Sequence, residues 1–256
     1  MELAEKIVKA WDLSAEGYSK RCVIEDFISP GKETWTNLLT SLLPKKGKLN
    51  ILDVGTGPGV FATLLSLEGH NVVGIDISGE MLKEARENSM RMGTNPTLMI
   101  MDTQNPTFDD ESFDMIVSRN VMWIMEEPEK TYANWLRMLR PGGRVVVFDG
   151  GHPARSKEEF KPDHGFEKEE EYQKRFGEPM PLSFEKSQWE IARGWKRELP
   201  LTYVARPEWD LEAMNKTGYT NVTWENVNDK VSYNEKLKFM NEGRVFMCIR
   251  GDKPID

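Results

Sequence analysis

The sequence predicts an α/β fold built on a doubly wound, mostly parallel sheet. Three observations predict it. Short, fully apolar runs alternate with helical patterns from Leu49 to Asp149, which is the signature of parallel strands covered on both faces. A glycine-rich turn, Gly55-Thr56-Gly57-Pro58-Gly59, joins the first of these runs to a helix. Three successive runs end in an acid, Asp53, Asp76 and Asp102.

Residues 1–44 read as a helical cap. Leu3, Ile7, Ala10 and Trp11 recur at helical spacing, and a second stretch carries Trp35, Leu38, Leu39 and Leu42 before Pro44 stops it. The core of 45–150 follows. Leu49–Val54 is a strand, Val60–Leu67 a helix closed by Gly69, and Asn71–Ile77 a strand. Ser78 caps a helix over Glu80–Met92. Thr97–Met101 and Phe113–Ser118 are strands, and Pro128 opens a helix carrying Tyr132, Trp135, Leu136 and Leu139. Pro141-Gly142-Gly143 reads as a turn before the most apolar strand, Arg144–Asp149.

The rhythm breaks after Gly150. Between Lys157 and Arg175, charged side chains fill 12 of 19 positions, so 151–205 reads as a variable insertion or lid. Apolar periodicity returns in a helix over Trp209–Met214. Strands at Val222–Trp224 and Arg244–Ile249 complete the sheet over 206–256 as a terminal hairpin.

Composition excludes several classes. The 256 residues carry 34 basic and 42 acidic side chains, a net charge of −8, and are 39% apolar and 30% charged. That is the composition of a globular protein, without the basic face a sequence-independent nucleic-acid binder needs. The clusters Lys45-Lys46-Gly47-Lys48 and Arg193–Arg197 read as solvated surface. Two distant cysteines, Cys22 and Cys248, make neither a disulfide scaffold nor a zinc site. No apolar run reaches membrane-span length and no secretory signal is visible, so a cytoplasmic location is expected, with no membrane partner.

The chemistry sits in the glycine turn. Side-chain-free positions let the backbone approach a ligand, and the following helix presents its positive end. The spacing GxGxG lacks the lysine of a phosphate-binding loop and differs from the GxGxxG of dinucleotide binders. Asp53 before the glycines suits a ligand cation better than a pyrophosphate. Asp76, 21 residues after Gly55, is placed to accept ribose hydroxyls, and Asp102 to meet an adenine amino group.

Taken together, ILDVGTGPGVFATLL, VVGIDIS, MDTQNPTFDDESFDMIVSRNVMWIM and LRPGGRVVVFD resemble the class I S-adenosylmethionine-dependent methyltransferases, in their small-molecule, ubiquinone-biosynthesis-like branch. The resemblance covers roughly residues 45–150. It implies a seven-stranded sheet with a reversed terminal hairpin (a Rossmann-like methyltransferase fold), S-adenosyl-L-methionine as cofactor and a small-molecule substrate. By the same resemblance Asp53, Gly55, Gly57 and Gly59 would surround the methionine moiety, and Thr56 in the same turn would belong to the cofactor-binding residues. Asp76 would hold the ribose, Ile77 would pack on adenine, and Asp102 and Thr103 would read its edge. Asn120 would lie near the methionine end, and Tyr18 would reach the cofactor's carboxylate.

No catalytic base is fixed by motif. Among His70, His152 and His164, His152 lies just past the fifth strand at the ligand end of the sheet and is the candidate, with Asp149 as an alternative base or cation ligand. His70 precedes the second strand, at the wrong end. Trp11, Trp123 and Trp195 are candidate aromatic walls. No metal-ligand spacing is present. Non-catalytic cofactor binding and nicotinamide-dependent oxidoreduction remain the alternatives, a nucleic-acid substrate is disfavoured, and a homodimer is left open.

Overall fold

The computed structural model describes residues 2–159, 168–181, 191 and 194–255. Two helices, α1 (Leu3–Glu25) and α2 (Gly31–Ser41), precede the sheet. The core then runs β1 (Asn50–Val54), α3 (Val60–Leu67), β2 (Asn71–Asp76), α4 (Gly79–Arg91), β3 (Thr97–Ile100), β4 (Phe113–Arg119), α5 (Pro128–Met138) and β5 (Leu139–Gly151). After α6 (Glu169–Phe176) come α7 (Glu208–Thr217), β6 (Thr220–Asn226), two short helices α8 (Asn228–Val231) and α9 (Glu235–Asn241), and β7 (Val245–Asp252).

The seven strands lie in the order β3-β2-β1-β4-β5-β7-β6. β1 pairs in parallel with both β2 and β4, and β5 continues the parallel set beside β4. β7 inserts antiparallel between β5 and β6. The chain therefore winds outward from β1 in both directions, and the strand ends at β1 and β4 flank the point where the winding reverses. A crevice opens there in folds of this kind.

The central strands are apolar throughout because both faces are covered. Ile51, Val117, Val146 and Phe148 point into one core with Trp35, Leu39 and Phe61 from α2 and α3. Their neighbours Leu52, Ile116, Val145 and Val147 point into the opposite core with Tyr132, Trp135 and Met214 from α5 and α7. Strand side chains alternate between faces, so near-continuous apolar runs are what two buried faces require.

Two elements differ from the sequence expectation. The Pro141-Gly142-Gly143 turn lies inside β5, where the ladder partners jump from Phe113↔Leu139 to Met115↔Arg144 and residues 140–143 bulge out. The polar spacer after β6 holds α8 and α9, of four and seven residues, too short to show a helical period. His164 and Arg193 lie outside the described residues, as does part of 151–205. Among the described residues, no helix is long and apolar enough to cross a membrane.

Candidate active site

The glycine turn leaves β1 and enters α3 through Gly55, Gly57 and Gly59, all at positive φ. A Cβ at Gly55 would lie 2.3 Å from Val121 Cγ2, and one at Gly59 would lie 2.9 Å from Ala85 Cβ. Gly59 thus lets α3 and α4 pack closely, whereas Gly55 keeps a narrow cleft open beside Val121.

Asp53 is not in the wall of that cleft. It is 2% exposed, and its Oδ2 accepts the Thr56 hydroxyl at 2.6 Å and the Ala62 N–H at 3.0 Å. The physical reason lies at the start of α3. Its N-cap is Gly59, which has no side chain to satisfy the first-turn N–H groups, and the Asp53 carboxylate does so instead. Burial pushes the Asp53 carboxyl up to about 6 against these hydrogen bonds. Thr56, its hydroxyl spent on Asp53, and Gly59 also stand behind the wall. Of the turn, Gly55 and Gly57 stand in the cleft wall, while Asp53, Thr56 and Gly59 shape the loop behind it.

The cleft is lined by Gly55, Gly57, Asp76, Ile77, Met81 and Thr103 toward β2 and β3, and by Tyr18, Arg119, Asn120 and Val121 toward α1 and β4. Asp76 ends β2; its Oδ2 accepts the Gly57 N–H at 2.8 Å and its Oδ1 the Ser78 N–H at 2.9 Å. Burial, with Asp12 nearby, pushes its carboxyl up to about 6. Ser78 caps α4 and donates its hydroxyl to Asp12 of α1, which fastens the helical cap beside Asp76. Asp102 departs from expectation. It is exposed, and its two oxygens accept the Gln104 N–H at 2.9 Å and the Asn105 side-chain amide at 3.1 Å, so it closes a turn while the next residue, Thr103, faces the cleft.

A second, larger cavity of about 960 Å³ adjoins the first and shares Trp11, Tyr18 and Asn120 with it. His152, Arg155, Lys196 and Arg206 contribute to its wall. His152 is half-buried, and its Nδ1 lies 3.1 Å from the Pro153 carbonyl oxygen. Donation of an Nδ1–H to that carbonyl leaves the Nε2 lone pair as acceptor. Burial lowers the imidazole's pKa below its ordinary value.

Asp149 is a structural acid here, not an open base. Its Oδ2 accepts Arg206 Nη1 at 2.8 Å and the Trp123 N–H at 2.9 Å, and its Oδ1 accepts the Gly150 N–H. Arg206 in turn grips Asp210 through Nε and Nη2, both at 2.7 Å, and Asp210 accepts the Tyr132 hydroxyl. This buried network fixes the wall between β5 and α7. Trp123 lines the larger cavity and stacks on the buried Trp195 at 5.6 Å, so only the first of that pair faces the ligand space. His70 sits at the opposite end of the sheet, where its Nδ1 accepts the Leu49 N–H.

Sequence reasoning missed Arg119, Val121, Ile124 and Met81 in the cleft and Arg206 in the larger wall. Arg119 had a signal, as the one charge at the end of the apolar run Met115–Val117. Arg206 had none, since its partner Asp149 lies 57 residues away.

The Methyltransferase domain family matches residues 52–147. A phosphatidylethanolamine N-methyltransferase of Cereibacter sphaeroides is 40% identical over 111 residues, 42% of this chain and 52% of that protein. A demethylmenaquinone methyltransferase of Tropheryma whipplei is 30% identical over 150 residues, 59% of this chain and 61% of that protein. The chain thus spans between half and two thirds of these relatives' length. A solved Haemonchus contortus phosphoethanolamine N-methyltransferase 2, in complex with S-adenosyl-L-methionine, shares the fold with a TM-score of 0.66 at 19% identity, over 99% of this chain and 60% of that one.

Proposed function

We propose that this chain, whose residues 52–147 match the Methyltransferase domain family, is a class I S-adenosylmethionine-dependent methyltransferase that methylates a small molecule held in the larger cavity. One observation carries the reading: the narrow cleft and the larger cavity meet at Trp11, Tyr18 and Asn120. The donor belongs in the cleft and the acceptor in the cavity.

The residues fit that donor. Gly55 and Gly57 bring bare backbone to the ligand, Asp76 offers a carboxylate to ribose hydroxyls, and Ile77, Met81 and Thr103 flank the place of the adenine. When bound, S-adenosylmethionine supplies an electrophilic methyl group on a sulfonium. What the protein adds is alignment in a site screened from water, an effect worth roughly 7–11 kcal/mol in well-oriented reactions. Asn120, held at φ 59 with its N–H on the Phe148 carbonyl, stands at the junction and orients the two reactants. Where the acceptor must lose a proton, His152 Nε2 receives it, and burial keeps that imidazole neutral at pH 7. Helix α1 contributes Trp11 and Tyr18 to the cavity wall, and the described part of 151–205 contributes His152, Arg155 and Lys196.

The relatives' names specify phosphatidylethanolamine, demethylmenaquinone and phosphoethanolamine. A cavity of about 960 Å³ is at the upper end for small-molecule sites, which supports an acceptor of comparable class. The test is incubation of the protein with methyl-labelled S-adenosylmethionine and a metabolite extract. A labelled small molecule supports the reading. Tight donor binding with no labelled product identifies a binding module instead, and preference for a pyridine nucleotide overturns the reading altogether.

A further inference from the structure

We propose that the acceptor is a small anion, its charge carried by phosphate or carboxylate, and that Arg155 and Lys196 receive that charge in the larger cavity. This rests on the methyltransferase reading and on the larger cavity being the acceptor site.

The chain is acidic, with a net charge of −8, yet the wall of this cavity has the opposite sign. Among the described residues it carries Arg21, Arg155, Lys196, Arg206 and Arg244 against Asp149 and Glu208. Asp149 is paired with Arg206, and Glu208 is exposed. A cleft lined by one sign of charge focuses its field and concentrates ligands of the other sign.

Arg155 and Lys196 are distant in sequence, and Thr202 fastens both. Its carbonyl accepts Arg155 Nε at 2.9 Å, and its hydroxyl donates to the Lys196 carbonyl oxygen at 2.8 Å. Thr202 is buried, and the Tyr203 carbonyl next to it accepts the Arg155 backbone N–H at 3.2 Å. An end-on pairing of a guanidinium with an anion uses its two Nη groups, so an anchor through Nε is compatible with it. Arg155 also acts on the histidine of the same wall. Burial chiefly, with the charges of Arg155 and Arg206 adding to it, lowers the His152 imidazole. An anion held by Arg155 therefore lies on the wall that carries the candidate base.

The aromatic rings point the same way. A cationic acceptor is received on open aromatic faces. In this wall Lys196 Nζ lies over the Trp123 ring, 5.0 Å from its centre, and Trp123 also stacks on Trp195. The Arg21 guanidinium lies over the Tyr18 ring at 5.1 Å. Cations of the protein itself cover these two rings, so the wall meets a ligand with positive charge there.

The test splits a metabolite extract on an anion-exchange resin at pH 8. Each fraction is then incubated with the full chain and methyl-labelled S-adenosylmethionine. Label is expected in the retained fraction. Loss of the acceptor when that fraction is first treated with phosphatase identifies a phosphate. Release of the acceptor from the resin at pH 2, below the ordinary carboxyl pKa of about 4, identifies a carboxylate. Arg155→Gln and Lys196→Gln should each raise the apparent KM for the retained acceptor roughly tenfold, the scale of a charged hydrogen bond, and leave the affinity for S-adenosylhomocysteine unchanged by calorimetry. Arg155→Lys should restore part of the loss. Label from the unretained fraction alone overturns the proposal, and this arm needs no variant. A wild-type KM in both Gln variants also overturns it and leaves the two cations as solvated surface. No label from any fraction, with S-adenosylmethionine bound, overturns the methyltransferase reading and this proposal with it.

Discussion

The Asp76 carboxylate accepts the Gly57 N–H at 2.8 Å, so the end of β2 and the glycine turn form one continuous wall. The buried carboxyl titrates near 6, and a cationic donor favours its ionised form. Protonation therefore competes with binding. Donor affinity is expected to rise from pH 5 to about 7 and then level off. Asp76→Asn should flatten this profile and weaken binding by about 1–3 kcal/mol, the cost of an unmade buried hydrogen bond. Calorimetry across pH checks both, and a wild-type affinity independent of pH would remove Asp76 from the site. In the ligand-free protein the sign reverses. Raised from 3.8 to about 6, the Asp53 and Asp76 carboxyls stabilise the fold below the lower value, and that contribution is lost as pH rises through the upper one.

Gly55→Ala places a methyl into Val121 at a positive φ of 65°. The backbone conformation alone should cost about 1–2 kcal/mol, read from urea unfolding. Donor affinity should fall as well, because the methyl and the displaced Val121 occupy the cleft. Gly59→Ala strains the α3–α4 contact, so its effect on stability should outweigh its effect on binding.

Arg206→Leu leaves Asp149 and Asp210 buried without their shared cation. Loss of about 3–5 kcal/mol in urea unfolding is expected, as for other buried pairs broken from one side. An unchanged unfolding midpoint would show that water reaches the two acids.

His152→Gln should lower kcat roughly a hundredfold or more if the acceptor is deprotonated in the rate-limiting step, with donor affinity unchanged. Because burial lowers the imidazole pKa, the acid limb of the wild-type kcat profile should fall below 6.5. A wild-type rate in the variant assigns His152 to the wall alone.

The inner parallel strands were legible because two buried faces leave them almost wholly apolar, as in Arg144–Asp149 and Phe113–Ser118, whereas β3 at the rim is largely exposed and was legible from its short apolar run alone. Gly55, Gly57 and Asp76 stood out by their places in the turn and at a strand end, Ile77, Thr103, Asn120 and Tyr18 entered through the family resemblance, and all seven line one cleft. Direction was harder to read than position. Nothing local tells whether a strand-end acid turns outward or back into its own loop, and Asp53 and Asp102 both turn back. The Asp149–Arg206–Asp210 network was illegible because tertiary packing alone joins β5 to α7.

The two rims of the sheet are β3 and β6. β3 has four residues, and β6 loses its register with β7 between Thr220 and Thr223, where Asn221 adopts φ 52. Neither rim offers a long, regular row of open amides to a strand from another molecule. Association of this protein through sheet extension is thereby discouraged at both margins.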